Sequence, residues 1–210
     1  MIIVGTKGFA KELLQVLYQR GEHHDVIFFD DVSSDLPDQL YGKFKILKNY
    51  EDVTMYIKNV DDKFALGLGD PKIRKDLALK FKNLKGLFTR IISPKTDIGV
   101  FNTHIGEGVN IMTGTVITND VSILDGCLIN LNCTIGHDTR IGKFTEMSPG
   151  VHISGNCKIG NLCRFGTGAV VLPKIKIGNN VTVGAGSVVT KDIDDNQTIA
   201  GVPAKPIVKK

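Results

Sequence analysis

Broken every six positions, residues 105–152 read IGEGVN, IMTGTV, ITNDVS, ILDGCL, INLNCT, IGHDTR, IGKFTE and MSPGVH, each block opening on isoleucine or methionine. The same step continues through Ile153, Ile159, Phe165, Val171, Ile177 and Val183 to Val189 without slipping. A period of six fits neither an amphipathic helix nor a lone half-buried strand. It suits a short strand and a turn repeated around a prism, each block forming one side. The fifth place of the block is restricted too: Val109, Thr115, Val121, Cys127, Cys133, Thr139 and Thr145 are small or β-branched, as a second, tighter interior position requires. With no tryptophan and 7% aromatic residues, the core must be aliphatic, and this repeat supplies it.

The four cysteines, Cys127, Cys133, Cys157 and Cys163, all fall on that fifth place, and none lies one coil from another. Zinc ligands must converge, commonly as Cys-x-x-Cys pairs, whereas these side chains sit on separate sides or coils. They read as reduced core fillers, with no metal expected.

Upstream of the repeat the pattern changes. Ile2–Val4 reads as a strand, Gly5-Thr6-Lys7-Gly8 as a turn, Phe9–Arg20 as a helix, and Val26–Phe29 as a second strand closing on Asp30-Asp31. A third apolar strand, Phe64–Gly69, runs into Asp70-Pro71, where a helix should begin. In such a βαβ unit the strand-to-helix turns gather backbone N–H groups at the carboxyl ends of parallel strands, a setting for phosphate. Gly5-x-x-Gly8 by itself is a weak signal, and Gly-x-Gly-x-x-Gly is not satisfied, which argues against a nicotinamide dehydrogenase.

Composition narrows the function classes. A net charge of +4 with scattered lysines gives no basic, aromatic-interleaved footprint for nucleic acid. No apolar run nears the roughly 20 residues needed to cross a bilayer, and the start lacks a basic secretory leader, so no membrane partner and a cytoplasmic location are expected.

Ile135-Gly136-His137-Asp138-Thr139-Arg140-Ile141-Gly142, the repeat over Ile105–Val189, and the tail Gly201-Val202-Pro203-Ala204-Lys205 together resemble the hexapeptide-repeat acyltransferases. With the βαβ unit in front, the chain resembles the PglD/NeuD-like nucleotide-amino-sugar N-acetyltransferases. The resemblance implies an α/β, Rossmann-like nucleotide-sugar-binding domain over 1–90. It implies an all-β left-handed parallel β-helix of about five coils, with its tail, over 91–210. The activity implied is acetyl-CoA-dependent acetylation of the amino group of a nucleotide-linked amino sugar, by a homotrimer whose sites lie between neighbouring helices. His137 is then the general base and Asp138 the acid that orients it. Gly5, Lys7, Gly8, Phe9, Asp30, Asp31 and Gly69 hold the nucleotide sugar, and Glu146, Gly155, Thr167 and Ala185 contact acetyl-CoA.

Coil register places Asn119 and Gly155 on either side of His137. Glu146 stands where relatives carry a second histidine, and Arg164, one coil above it, is expected to meet it in a surface ion pair. The other histidines read as ordinary exposed residues: His23 and His24 in a polar connector, His104 ahead of the first coil, and His152 at the end of a block. Alternatives on the same fold are O-acetylation of a sugar or sialic acid hydroxyl, a non-catalytic nucleotide-sugar scaffold, and a γ-type carbonic anhydrase. The last needs His-x4-His, which Gly142 breaks.

Overall fold

A computed structural model describes residues 1–207. Its amino-terminal part is a six-stranded sheet with three helices: β1 (Ile2–Val4), α1 (Gly8–Gln19), β2 (Ile27–Phe29), β3 (Gln39–Leu40), β4 (Phe44–Leu47), α2 (Tyr50–Asn59), β5 (Lys63–Leu66), α3 (Pro71–Asn83) and β6 (Leu87–Phe88). The strand order is β3-β4-β2-β1-β5-β6, parallel except for the β3–β4 hairpin. Strands buried on both faces read as continuous apolar runs, and Ile2, Ile3, Phe64, Ala65 and Leu66 are wholly buried. Helix α1 seats Ala10, Leu13, Leu14 and Leu17 against the sheet, four residues on one helical stripe. Helices α2 and α3 start where Asn49 and Asp70 accept from the first free backbone N–H groups, and Pro71 follows at the first turn of α3.

From Ile91 the chain winds into a left-handed parallel β-helix whose two-residue strands stack in three sheets. The front face carries Ile91–Ile92, Asn110–Ile111, Leu128–Ile129, Glu146–Met147, Arg164–Phe165, Thr182–Val183 and Thr198–Gly201. The second face carries Asp97–Ile98 through Val188–Val189, and the third His104–Ile105 through Lys176–Ile177. The block-opening residues and their fifth-place partners fill the interior, with all four cysteines wholly buried and unpaired. The front face is covered by the amino-terminal domain: α1 packs on Ile91–Ile92, and Met112 and Leu128 join its core.

One coil begins earlier than the six-residue step indicates. Ile98 pairs with Ile117, nineteen positions on, whereas His104 pairs with Ser122, eighteen on. An extra residue is therefore absorbed in the exposed corner at 99–103, and His104 lies in a strand of the first coil rather than ahead of it. At the far end Ile177 bridges Ile193 and Val183 pairs with Ile199, two residues short of a full turn. The chain then folds back as Ala204–Pro206, antiparallel to Thr198–Gly201.

Candidate active site

His137 occupies the turn between the second and third faces, with Asp138 next in the left-handed region at φ 58°, a conformation aspartate tolerates. That twist brings the Asp138 carboxylate back onto the ring, with Oδ2 2.7 Å from Nδ1. An ionised carboxylate only accepts, so Nδ1 must carry a hydrogen, and in the neutral ring Nε2 presents its lone pair. Nε2 points over Gly155 of the next coil, where a Cβ would come within 2.7 Å of it. The absent side chain is thus what leaves the imidazole edge open. Gly155 keeps its own N–H without an acceptor among the described residues. The His137 side chain is 64% exposed, so one chain does not enclose it. Asn119, on the other side, turns away: its Oδ1 accepts from the Phe101 N–H.

A second assembly lies at the carboxyl ends of β1, β2 and β5, around a cavity of about 380 Å³. Gly5, Lys7, Asp30 and Asp31 line it, joined by Thr6, Ser33, Gly67 and Leu68. The Asp30 carboxylate accepts from the Thr6 hydroxyl at 2.6 Å and from the N–H groups of Val32 and Ser33, so it staples two loops of the cavity together. Burial works to raise its pKa, but these donors outweigh burial and hold it below the usual aspartate value. Gly8 and Phe9 open α1 and lie outside the lining; the amino terminus of the helix has no side-chain cap, leaving its first N–H groups without a side-chain acceptor beside Lys7.

Gly69 is not part of the lining. The glycine that shapes the wall is Gly67, whose Cβ would lie 2.6 Å from that of Ala10, and strand β5 ends at Leu66 to allow this approach. Thr6 and Gly67 line the cavity without having been singled out in the sequence.

The four residues expected at acetyl-CoA are spread over three parts of the prism. Gly155 shares the His137 corner, Thr167 and Ala185 stack in turns at the corner between the front and second faces, and Glu146 lies on the front face. The expected surface pair of Glu146 with Arg164 is not formed. Arg164 reaches Asp70 at the start of α3, 2.5 Å away, while Glu146 is buried beneath the amino-terminal domain and accepts from the Ser148 hydroxyl. Burial pushes the Glu146 carboxyl up, against the pull of Arg164 and Arg74.

Of the remaining histidines, His104 and His152 are exposed, the latter bonded to Thr134. The His23 and His24 rings meet tilted by 35°, with centroids 4.1 Å apart. No cluster of three potential metal ligands occurs among the described residues, and no helix among them is long and apolar enough to cross a membrane.

Residues 1–81 match the PglD N-terminal domain family, and residues 156–191 the bacterial transferase hexapeptide (six repeats) family. Among solved structures, a variant of perosamine N-acetyltransferase from Caulobacter crescentus, in complex with CoA and GDP-perosamine, is similar with 27% identity and a TM-score of 0.92, over 99% of this chain and 96% of that one. The acetyltransferase domain of PglB from Neisseria gonorrhoeae, in complex with acetyl coenzyme A, gives 28% identity and 0.87 over 98% of both chains. WeeI from Acinetobacter baumannii gives 26% and 0.89, again over 98% of both. The chain thus joins a PglD N-terminal domain to a bacterial transferase hexapeptide repeat, the architecture of the acetyltransferases that match it along nearly its whole length.

Proposed function

We propose that the chain transfers the acetyl group of acetyl-CoA to the amine of a nucleotide-linked amino sugar, working as a cytoplasmic homotrimer with His137 as general base. The observation that carries the reading is the Nδ1–Asp138 hydrogen bond, which in the neutral ring turns the Nε2 lone pair outward above Gly155. The perosamine enzyme that the chain resembles holds CoA and a GDP-linked sugar, which supports both substrate classes.

In the reaction the neutral sugar amine attacks the thioester carbonyl. Nε2 takes the ammonium proton, and the Gly155 N–H, which has no acceptor among the described residues, serves as the donor to the developing oxyanion. The tetrahedral intermediate collapses with loss of the C–S bond, and the proton passes to the departing thiolate to give CoA and the amide. The Asp138 carboxylate steadies the transient imidazolium. In the amino-terminal cavity Lys7 and the uncapped start of α1 suit a diphosphate, with the exposed Asp31 beside them for the nucleoside.

The position of these parts supports an assembly of several copies. The cavity sits on the front side of the prism and His137 on the opposite corner, an arrangement suited to a neighbour's corner supplying the base to this chain's cavity. Of the two uncovered faces, the third carries Arg140, Lys158 and Lys176 in register, and like charges stacked about 4.8 Å apart resist burial. The second offers Val116, Thr134, Val170 and Val188 and is the better contact face.

The test is thiol release from acetyl-CoA with UDP-, dTDP- and GDP-linked amino sugars. Turnover with an amine, abolished in His137→Ala while the trimer persists, is the expected result. Release only with hydroxylated acceptors would convert the reading to O-acetylation, and turnover retained by His137→Ala would remove the base assignment.

A further inference from the structure

Helix α3 is fastened to the β-helix at two points, and both points bear on one wall of the nucleotide cavity. At its start Asp70 divides its carboxylate: Oδ1 accepts from the N–H groups of Lys72 and Ile73, and Oδ2 receives Arg164 from the front face of the prism. One turn later Arg74 is wholly buried. Its guanidinium donates to the carbonyls of Leu66 and Leu68 at 2.9 and 2.8 Å, and across the domain boundary to the Gly126 carbonyl and Asn110 Oδ1. No carboxylate bonds it among the described residues, so these acceptors, with the attraction of the nearby Glu146, offset the cost of burying the charge. Leu66 and Leu68 flank Gly67; Gly67, Leu68 and Ile73 line the cavity. The wall is therefore held by residues that do not touch its contents.

We propose that Asp70, Arg74 and Arg164 are positioning residues for the nucleotide sugar, locking the Gly67–Ile73 wall of the cavity to the prism so that nucleotide affinity depends on a contact between the two domains. The role rests on the nucleotide reading of the cavity. Arg164 also immediately precedes the turn bearing Thr167, so the lock ties the wall of one substrate site to a corner proposed for the other. A wall released from the lock would have to be ordered by the ligand, and affinity falls by the cost of that ordering.

Arg164 and Asp70 are half exposed, so Arg164→Gln and Asp70→Asn can be made without opening the core, and asparagine keeps the helix cap. The exchange arm needs no ligand. Amides of Gly67–Ile73 are expected to exchange about fivefold faster in Arg164→Gln than in the unaltered trimer, with α1 unchanged. In the binding arm, titration with UDP, dTDP and GDP is expected to show nucleotide affinity about fivefold weaker in either variant and no weaker in the double variant, as one shared contact requires. KM for the nucleotide sugar should rise with it, while KM for acetyl-CoA stays within twofold. Unchanged exchange would overturn the lock. Faster exchange with unchanged affinity would overturn its positioning role. Failure of the unaltered protein to bind any nucleotide would overturn the cavity reading and the substrate role together, a result distinguishable because the exchange arm still reports.

Discussion

Replacing Gly155 by alanine tests the site with a single methyl group. Its φ lies outside the left-handed region, so alanine meets no backbone strain, but the new Cβ would sit 2.7, 2.9 and 3.0 Å from Nε2, Cε1 and Cδ2 of His137. Carbon contacts are comfortable from about 3.5 Å, so the ring edge must retreat by roughly 1 Å. It has room to do so on an exposed corner, and the cost in stability should stay within about 0.5 kcal/mol, as for other surface changes. The retreat stretches the 2.7 Å bond from Nδ1 to Asp138 and covers Nε2 with the methyl. A misplacement of about 1 Å costs on the order of 10²-fold in rate, and a general base contributes about 10²–10⁴ in all. The expected loss in kcat is therefore on the order of 10²-fold, or about 2.7 kcal/mol of barrier. Thiol release at saturating acetyl-CoA measures it, with the melting temperature as control. A kcat within about threefold of the parent at an unchanged melting temperature would refute the placement of the imidazole edge in the reaction path.

Three further outcomes follow from the same geometry. Asp138→Asn can donate its amide N–H to Nδ1 and so draw the proton to Nε2; kcat should drop by on the order of 10²-fold or more with the trimer intact, as steady-state kinetics beside size-exclusion chromatography would show. Burial pushes the thiols of Cys133 and Cys163 up to about 11 and that of Cys127 to about 12, so a disulfide reagent at pH 8 should label no cysteine in the native protein and all four after unfolding. Prompt native labelling would mean that the coils open. Glu146→Gln should stabilise the protein increasingly as pH rises. Its folded pKa lies above the ordinary glutamate value, so its contribution is fully present below that value and is lost as pH climbs through the raised one. Melting curves from pH 4 to 8 would read the difference, and a gain that shrank with pH would mean that Arg74 and Arg164 outweigh burial.

The β-helix was legible because every face-forming strand repeats one steric demand, an aliphatic residue followed four places later by a small one. Corners carry no such demand. The additional residue near Asn102 therefore hid the first coil, and the shortened turns before Ile193 and Ile199 hid the last. Register put Gly155 beside His137, since eighteen residues return the chain to the same corner, whereas His137 and Asp138 were singled out by the resemblance of Ile135–Gly142 to the family's segment. The amino-terminal cavity was legible only in outline. Its loops were visible as Gly5-Thr6-Lys7-Gly8 and Asp30-Asp31, but the bond from Thr6 to Asp30 and the contact of Gly67 with Ala10 belong to packing between elements far apart in sequence. Arg74 was invisible for a similar reason: within Lys72-Ile73-Arg74-Lys75 it looks like one more solvated cation, and only docking on the prism turns it inward. Glu146 and Arg164 were correctly placed in register, yet the sequence could not show that a second domain would separate them.

The folded-back tail has a consequence for the fate of the molecule in a crowded solution. A stack of parallel rungs presents, at each end, a row of free backbone donors and acceptors of the kind on which fibres grow, one chain adding to the next at the same rung spacing. At one end Thr198–Gly201 takes up the last rung, and Ala204–Pro206 crosses it antiparallel, with prolines at 203 and 206 that have no N–H to offer a newcomer. The tail is thus a terminator built from the chain itself, and on this face it closes a scaffold otherwise suited to indefinite extension.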